Sequence, residues 1–260
     1  MEPSATLLHE AIRMKKIIQF FKRRNPTTKQ YVELSTKGAL NNALNVEFQR
    51  INSPLRVSDD EALSKMPPAY ARVEKDKKFS QIYLAANEEL YLPDFWRDGV
   101  CLAHGQTDNL TVLAMALNFW LCEDVTTKKL SDVFPFVSPS KKAVAFDEGR
   151  EVEYTWELIY SDDSRIDLQA FVTLAIKDEI LGKLFPFTSL YTLCFSRCTG
   201  YPYTSDTPTV TPIGDQKYEV RGPDNLSLGS GTAEEALKIL REHLPSNIKP
   251  AVKGTEEDIQ

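Results

Sequence analysis

The chain has 260 residues, 42% hydrophobic and 26% charged, which are the proportions of a soluble globular protein able to bury a sizeable core. The net charge is −6, but residues 1–30 carry seven basic and two acidic side chains, so the remaining 24 basic and 35 acidic residues leave −11 on the rest. An acidic body repels nucleic acid and favours a basic partner surface, so we expect no nucleic-acid binding by the main domain.

Cysteine usage and hydropathy bear on the compartment. Four cysteines lie in apolar or strand-like contexts, which is typical of a reducing environment and not of a disulfide scaffold. No apolar run approaches the roughly 18–20 residues that span a bilayer. We therefore predict a cytoplasmic protein without a membrane span.

The first 68 residues are predicted to be peripheral. Residues 1–24 form a basic amphipathic helix pattern, which is consistent with weak membrane-surface association, with capture by a partner, or with packing on the protein's own domain. Translation could begin at Met1 or at Met14. Residues 25–68 are interpreted as a connecting segment with a short helix from Ser58 or Asp59.

The main domain is predicted over 69–250. Alternation of apolar and polar residues predicts strands over 70–73, 79–84 and 94–103, the last ending at Gly105. A helix capped by Thr107 or Asp108 is expected to continue to Leu121. This helix is apolar on nearly every side, so it should be a central, buried element.

The stretch from Glu151 to Tyr160 is predicted to be the clearest strand of the chain. Its apolar members alternate with polar ones, which gives one packed face and one acidic face: Val152, Tyr154, Trp156, Leu158 and Tyr160. A second amphipathic helix is expected over 167–176.

The motif Phe-Pro-Phe occurs at 134–136 and again at 185–187, each time between a predicted helix and a predicted strand. The second copy lies in 184–197, where Pro186 is expected to stop a helix and a half-buried strand follows, with Tyr191, Leu193 and Phe195 on its apolar face. The recurrence suggests an internal duplication. An aromatic–proline–aromatic helix stop used twice explains it equally well.

The C-terminal third is predicted to contain a loop over 199–216, a hairpin of 217–221 with 226–228, and a helix opened by a capping box at Thr232–Glu235. The last ten residues, 251–260, are expected to be disordered. The fold class that follows is α+β, with a mostly antiparallel sheet packed against two or three helices.

Three patterns suggest sites of chemistry, but none assigns a catalytic, cofactor or metal residue. Cys101 with His104, joined by Cys194 and Cys198, could bind zinc, but neither pair has the Cys-x-x-Cys spacing of a zinc knuckle. His104 could act as a base beside Cys101 or Asp108, or could simply bond to neighbouring backbone.

The third pattern is glycine-rich. Gly229–Thr232 precedes a helix and could hold an anion. The lysine of a phosphate-binding loop is missing, so a turn into a capped helix accounts for it.

An acidic cluster is the most partner-like surface in the sequence. We assign it as a candidate protein-binding site: Asp147, Glu148, Glu151, Glu153, Glu157, Asp162 and Asp163. The ordinary alternative is a solvated strand face.

From Tyr70 to Ala251 the order of motifs resembles an uncharacterised bacterial family, one of the domains of unknown function, whose members are sometimes labelled natural product biosynthesis proteins. The matching features include 98–108, 119–121, 134–136, 156–158, 184–189, 195–202, 232–236, 244–245 and 250–251. The resemblance implies a single α+β domain and supplies no activity and no catalytic residues. The basic leader and acidic body are also similar in style to bacterial toxin-immunity proteins.

These observations lead to a first functional hypothesis, an alternative, and a third interpretation in which the chain is a structural domain whose N-terminal helix tethers it to a membrane or a larger assembly. The first is a non-enzymatic bacterial protein-binding protein, an immunity protein that neutralises a cognate toxin through its acidic surface. The alternative is an accessory enzyme of secondary metabolism with a site near His104. None of these hypotheses requires a cofactor.

Overall fold

The computed structural model describes residues 38–57, 70–85 and 90–259. The predicted helix over 1–24 and the short helix from Ser58 lie outside these residues. The chain forms two compact units: the first contains the described residues up to Arg97 together with Cys101–Asp147, and the second contains Asp98–Val100 together with the described residues from Glu148 onward. The domain predicted over 69–250 is therefore divided between two units.

The sheet of the first unit has five strands, each hydrogen-bonded to the next along the chain: β1 Tyr70–Lys75, β2 Lys78–Leu84, β3 Tyr91–Arg97, β4 Val100–Gly105 and β5 Val137–Pro139. The turn between β3 and β4 is an Asp-Gly pair in which Asp98 and Gly99 have φ of 52° and 74°. Two successive left-handed residues are typical of the tight type I′ hairpin, whose twist matches that of its strands. This turn folds β4 back beside β3, where the candidate chemistry lies.

Four α-helices begin in the first unit: α1 Ala39–Arg50, α2 Leu110–Cys122, α3 Thr127–Val133 and α4 Ala143–Glu148. Ten of the thirteen residues of α2 are buried, which confirms the prediction of a central helix. Its cap is Asn109, whose side chain accepts a hydrogen bond from the backbone N–H of Val112 at 3.0 Å. The prediction of Thr107 or Asp108 as the cap was therefore wrong by one or two positions.

The second unit contains another five-stranded antiparallel sheet, with the order β10-β9-β8-β7-β6: β6 Phe185–Ser189, β7 Thr192–Ser196, β8 Thr209–Gly214, β9 Lys217–Arg221 and β10 Ser227–Gly231. Its helices are α5 Glu151–Tyr160, α6 Gln169–Ala175 and α7 Ala233–Glu242, with 3₁₀ helices at Asp163–Leu168, Leu181–Lys183 and Glu256–Asp258. Their shared core contains Trp156, Phe171, Phe195, Tyr218 and Leu240.

The strand predicted over Glu151–Tyr160 is wrong, because this stretch is helix α5. The apolar residues of this stretch fit both the period of two of a strand and the period of 3.6 of a helix. Val152, Trp156 and Ile159 follow the helical spacing, and these are the residues that pack into the core. Glutamate favours helices over strands, and two glutamates in the first turn complement the helix dipole.

Two further predictions for the second unit need correction. The loop predicted over 199–216 contains strand β8, which was hidden by its proline and glycine content. The tail predicted to be disordered is ordered up to Ile259: the backbone N–H of Val252 donates to the carbonyl of Arg197, and a 3₁₀ helix follows. Buried backbone contacts, which composition does not reveal, hold this segment.

The two Phe-Pro-Phe motifs take different structures. Phe134–Phe136 forms a turn between α3 and β5, whereas Phe185–Phe187 lies inside β6, so Pro186 belongs to a strand and does not merely stop a helix. The α+β class with mostly antiparallel sheet is confirmed. The described residues contain seven α-helices, more than the two or three predicted. None of the described helices is long and apolar enough to cross a membrane.

Candidate functional site

The predicted acidic cluster does not form one surface, since its members have different roles. Asp147 is almost fully buried and structural: one carboxylate oxygen lies 2.8 Å from Nη2 of Arg97, and the other accepts bonds from the backbone N–H and hydroxyl of Thr127 at 2.8 and 2.6 Å. These contacts fix the start of α3. A carboxylate used in this way is not available to a partner.

Two more members of the acidic cluster are not freely exposed to a partner, one because it is buried and one because it forms local bonds. Glu151 is only 5% exposed at the first turn of α5. Asp162 caps the following 3₁₀ helix by accepting bonds from the backbone N–H and hydroxyl of Ser164, and it pairs with Arg165 at 2.9 Å. The bond from the Ser164 hydroxyl is the main cause that holds the pKa of Asp162 below its usual value.

The remaining acids are exposed. Glu148 pairs with Arg150 at 2.7 Å, and Glu153 lies at 3.9 Å from the same guanidinium. Glu157 and Asp163 are exposed as well. Because Glu153 and Glu157 are four residues apart, they lie on the same outward stripe of α5.

Exposed apolar side chains lie on the same elements as these acids and on the β6–β7 turn. The strand prediction did not identify them as exposed. Tyr160 lies on the same side of α5 as Glu153 and Glu157, Ile166 lies in the adjoining 3₁₀ helix, and Leu190 and Tyr191 form the β6–β7 turn. Leu158 is exposed as well, but it lies two residues from Tyr160 and therefore faces another side of the helix. Arg165 joins these elements because its Nη1 donates to the carbonyl of Leu190 at 2.9 Å. We call this surface the docking face: Glu153, Glu157, Tyr160, Asp163, Ile166, Leu190 and Tyr191.

Leu190 is the most unusual residue of the docking face. It is 86% exposed and has φ of 55°, in the left-handed region. Left-handed backbone costs a non-glycine residue about 1–2 kcal/mol, and glycine or asparagine is the common choice in such a turn. A large apolar residue is thus presented to solvent at a position where stability favours another residue type.

A second group of interest lies in the first unit, on β3 and β4. Nδ1 of His104 lies 2.7 Å from Oδ1 of Asp94, and Nε2 lies 3.9 Å from Sγ of Cys101. The sequence had paired His104 with Cys101 or Asp108. The structure brings Cys101 to it, and the carboxylate that bonds to it is Asp94.

The proximity of Cys101 and His104 depends on a local break in the strand pattern. Residues three apart on a regular strand point to opposite faces. Leu102 and Ala103 are both buried in succession, which shifts the phase and places Cys101 and His104 on the same outer face. The Asp98–Gly99 turn then brings Asp94 alongside them.

Burial controls the chemistry of this group. Desolvation, with the charge of Asp94 in second place, raises the pKa of Cys101 to about 11. Burial lowers the pKa of the nearby Lys142. The free thiol of Cys101 is therefore protonated at neutral pH, which does not favour its use as an unassisted nucleophile.

The other predicted chemical residues lie in the second unit. Cys198 is fully buried, with Sγ 3.2 Å from the hydroxyl of Ser196. Burial raises the pKa of Cys194 to about 11. Cys198 is thus a buried side chain and Cys194 a half-buried one, and both lie in a different unit from Cys101 and His104.

The glycine-rich turn before α7 is a helix cap, as its ordinary interpretation predicted. Thr232 and Glu235 form a capping box, in which Oε2 of Glu235 accepts from the backbone N–H of Thr232 at 2.9 Å. The carboxylate of Glu235 therefore occupies the position that an anion would need, and its charge repels one.

Comparison with known proteins bears on the second unit. No curated protein and no solved structure matches the chain. The resemblance noted in the sequence extended from Tyr70, whereas the family match begins at residue 150. Residues 150–255, which lie in the second unit, match the model of a family described as "Family of unknown function (DUF6193)".

Proposed function

We propose that the chain is a non-enzymatic protein-binding protein that uses the docking face to bind a partner with a basic surface. One observation carries the proposal. Twelve large hydrophobic side chains are exposed among the described residues, and four of them belong to the docking face. Exposed apolar groups gathered in one place and rimmed by charge are typical of interaction sites.

The chemistry of the docking face defines the partner. Tyrosines and large aliphatic side chains supply the apolar contact area of protein interfaces. Glu153, Glu157 and Asp163 would steer a basic surface toward this area and reject an acidic one. The partner is thus expected to present lysine or arginine around an apolar centre, and the association rate should fall as salt rises.

Within this class we propose an immunity protein that neutralises a cognate toxin by covering a basic site. The support is the strong negative charge of the chain outside residues 1–30, together with the exposed acids of the docking face. A toxin that acts on a polyanion such as nucleic acid has a basic site, which a surface of this charge can cover. The cytoplasmic location stays a prediction.

The decisive experiment is co-expression with the product of the neighbouring gene, followed by size-exclusion chromatography and a toxicity assay. We expect a 1:1 complex and suppressed toxicity. Leu190→Gly is the sharpest variant: it removes the exposed side chain, and it suits the left-handed backbone, so stability should be kept or improved while binding weakens at least tenfold. Leu226→Ala, at another exposed leucine in a turn of the same unit, is the matched control.

The charge component is tested separately. Reversing Glu153 and Glu157 to lysine should slow association at low salt by tenfold or more, because steering depends on charge at the rim. Reversal of the exposed Glu242 in α7 is the control and should change the rate little. Leu190→Gly binding as tightly as the unmodified chain, or no complex and no suppression at all, would overturn the docking-face proposal.

The accessory enzyme near His104 is the second candidate, and the hydrogen bond between His104 and Asp94 is the observation that favours it. A carboxylate that orients an imidazole produces a usable general base, and Cys101 lies beside it. His104→Ala should then abolish biological activity while the fold and the complex are kept. His243→Ala, in the second unit, is the control. Full activity of the folded His104→Ala protein would remove the enzyme hypothesis.

A further inference from the structure

The group formed by Asp94, Cys101 and His104 combines three side chains that are common metal ligands. The group supplies a carboxylate, a thiol and an imidazole, and one potential ligand atom from each lies within 4.8 Å of the others. We propose that these three side chains bind one divalent transition-metal ion of the zinc class. The proposal is independent of the docking face, since it involves other residues in the other unit.

The distances are close to those of a metal site. Zinc–sulfur and zinc–nitrogen bonds of about 2.3 and 2.0–2.1 Å place the two ligand atoms about 3.6 Å apart in a tetrahedral site. Sγ of Cys101 is 4.0 Å from Nδ1 of His104, the nitrogen that also faces Asp94. The carboxylate oxygen of Asp94, now 2.7 Å from Nδ1, must move away by less than about 1 Å to share an ion with the imidazole. The side chain of His104 is 65% exposed and is free to make that adjustment.

The ligand set selects the ion. Thiolate and imidazole together favour zinc, cobalt or copper over calcium and magnesium, which prefer oxygen ligands. Three protein ligands leave a fourth tetrahedral position for water, and the exposure of His104 keeps that position open to solvent. As the sulfur–metal bond forms, the thiol proton of Cys101 leaves to solvent.

The local charge also favours a cation. Asp94 and the bound thiolate supply two negative charges, and Lys142 lies near enough to act on Cys101 with one positive charge. The positive charge offsets only part of the negative charge. Because the three ligands come from β3 and β4, which the tight Asp98–Gly99 turn joins, the site is organised before the ion arrives.

The test uses the full chain, stripped of metal with a chelator and titrated with Co²⁺. We expect one Co²⁺ per chain, a thiolate-to-cobalt charge-transfer band in the near ultraviolet, and displacement by Zn²⁺. Cys101→Ser, His104→Ala and Asp94→Asn should each weaken Co²⁺ binding at least tenfold. The controls Cys122→Ser, a thiol at the end of α2, and His243→Ala should leave binding unchanged.

A second measurement distinguishes metal binding from the simple proximity of three side chains. Zn²⁺ should slow alkylation of Cys101 at least tenfold and leave the rate at Cys122 unchanged, as followed by peptide mass spectrometry. The charge-transfer band must disappear in Cys101→Ser. Absence of stoichiometric Co²⁺ binding by the unmodified chain, or unchanged binding by the variant lacking all three ligands, would overturn the proposal. All of these side chains are at least partly exposed, and circular dichroism verifies that each variant is folded.

Discussion

Helices α2 and α5 are central to the first and second units, but they are built in opposite ways. In α2 almost every side chain is apolar and buried, so any face of the helix is a core face. In α5 only a narrow stripe around Trp156 and Ile159 is buried, and the rest carries glutamates and exposed apolar residues. The first helix serves stability alone. The second divides its surface between a core and a candidate binding face.

This difference explains which helix the sequence revealed. A long run of apolar residues beyond Asn109 permits only a buried helix or an unusually long buried strand, and its length of 13 residues decides for the helix. The ten residues of α5 satisfy a period of two and a period of 3.6 at once. The exposed Leu158 and Tyr160 created the false alternation, and Tyr160 is also a residue of the docking face.

The largest effect is expected from a pair of substitutions that distinguishes the helical period of 3.6 residues from the strand period of two. Ile159→Glu should lower the free energy of unfolding by at least about 3 kcal/mol, because it puts a charge into the core of the second unit. Leu158→Glu, on the exposed side, should change the free energy of unfolding by less than about 0.5 kcal/mol. Urea denaturation monitored by circular dichroism measures both.

A strand over Glu151–Tyr160 would reverse this order, since Leu158 would share the packed face with Trp156. Glutamate is a good helix former, so the intrinsic preference for helix changes little in either variant. A larger loss for Leu158→Glu than for Ile159→Glu would therefore contradict the helical assignment.

An intermediate effect should distinguish the two buried tryptophans of these helices. Nε1 of Trp120 in α2 donates to the carbonyl of Trp96 at 3.2 Å, whereas Nε1 of Trp156 in α5 is buried without a partner in the described structure. Trp120→Phe removes this hydrogen bond and leaves the carbonyl of Trp96 without that donor. Trp156→Phe removes a buried donor that has no acceptor among the described residues. Trp120→Phe should therefore cost about 1–3 kcal/mol more. Equal losses in urea denaturation would show that packing alone decides both sites.

The parts of the fold that could be predicted are those in which one local signal dominates. Strands β1 and β2, the hairpin of β9 and β10, and the Thr232–Glu235 capping box were all located from alternation or turn chemistry. The division into two units was not predicted, because contact between distant residues determines it and no linker composition marks it.

The candidate sites were predicted only in part, for two physical reasons. Cys101 and His104 were singled out together, but Asp94 was missed because it reaches them across a hairpin. Pairing through the two-residue turn at Asp98–Gly99 would place position 94 opposite position 103, and this signal was present in the sequence. The break in the alternation of buried and exposed side chains at Leu102 and Ala103 had no signal in the sequence, because it depends on packing against the core.

The smallest effect concerns the N-termini of the same two helices. Asn109 caps α2 through a buried side chain, so Asn109→Ala should cost about 1 kcal/mol, and Asn109→Ser should recover most of it because serine can accept the same bond. Arg150, at the corresponding position of α5, makes no capping bond and only exposed ion pairs, so Arg150→Ala should cost less than about 0.5 kcal/mol. Thermal unfolding of the four proteins, including the unmodified chain, measures these differences. A cost at Arg150 equal to that at Asn109 would mean that α5 depends on its first turn as strongly as α2 does, and Glu153, which lies 3.9 Å from Arg150, would then contribute to folding as well as to binding.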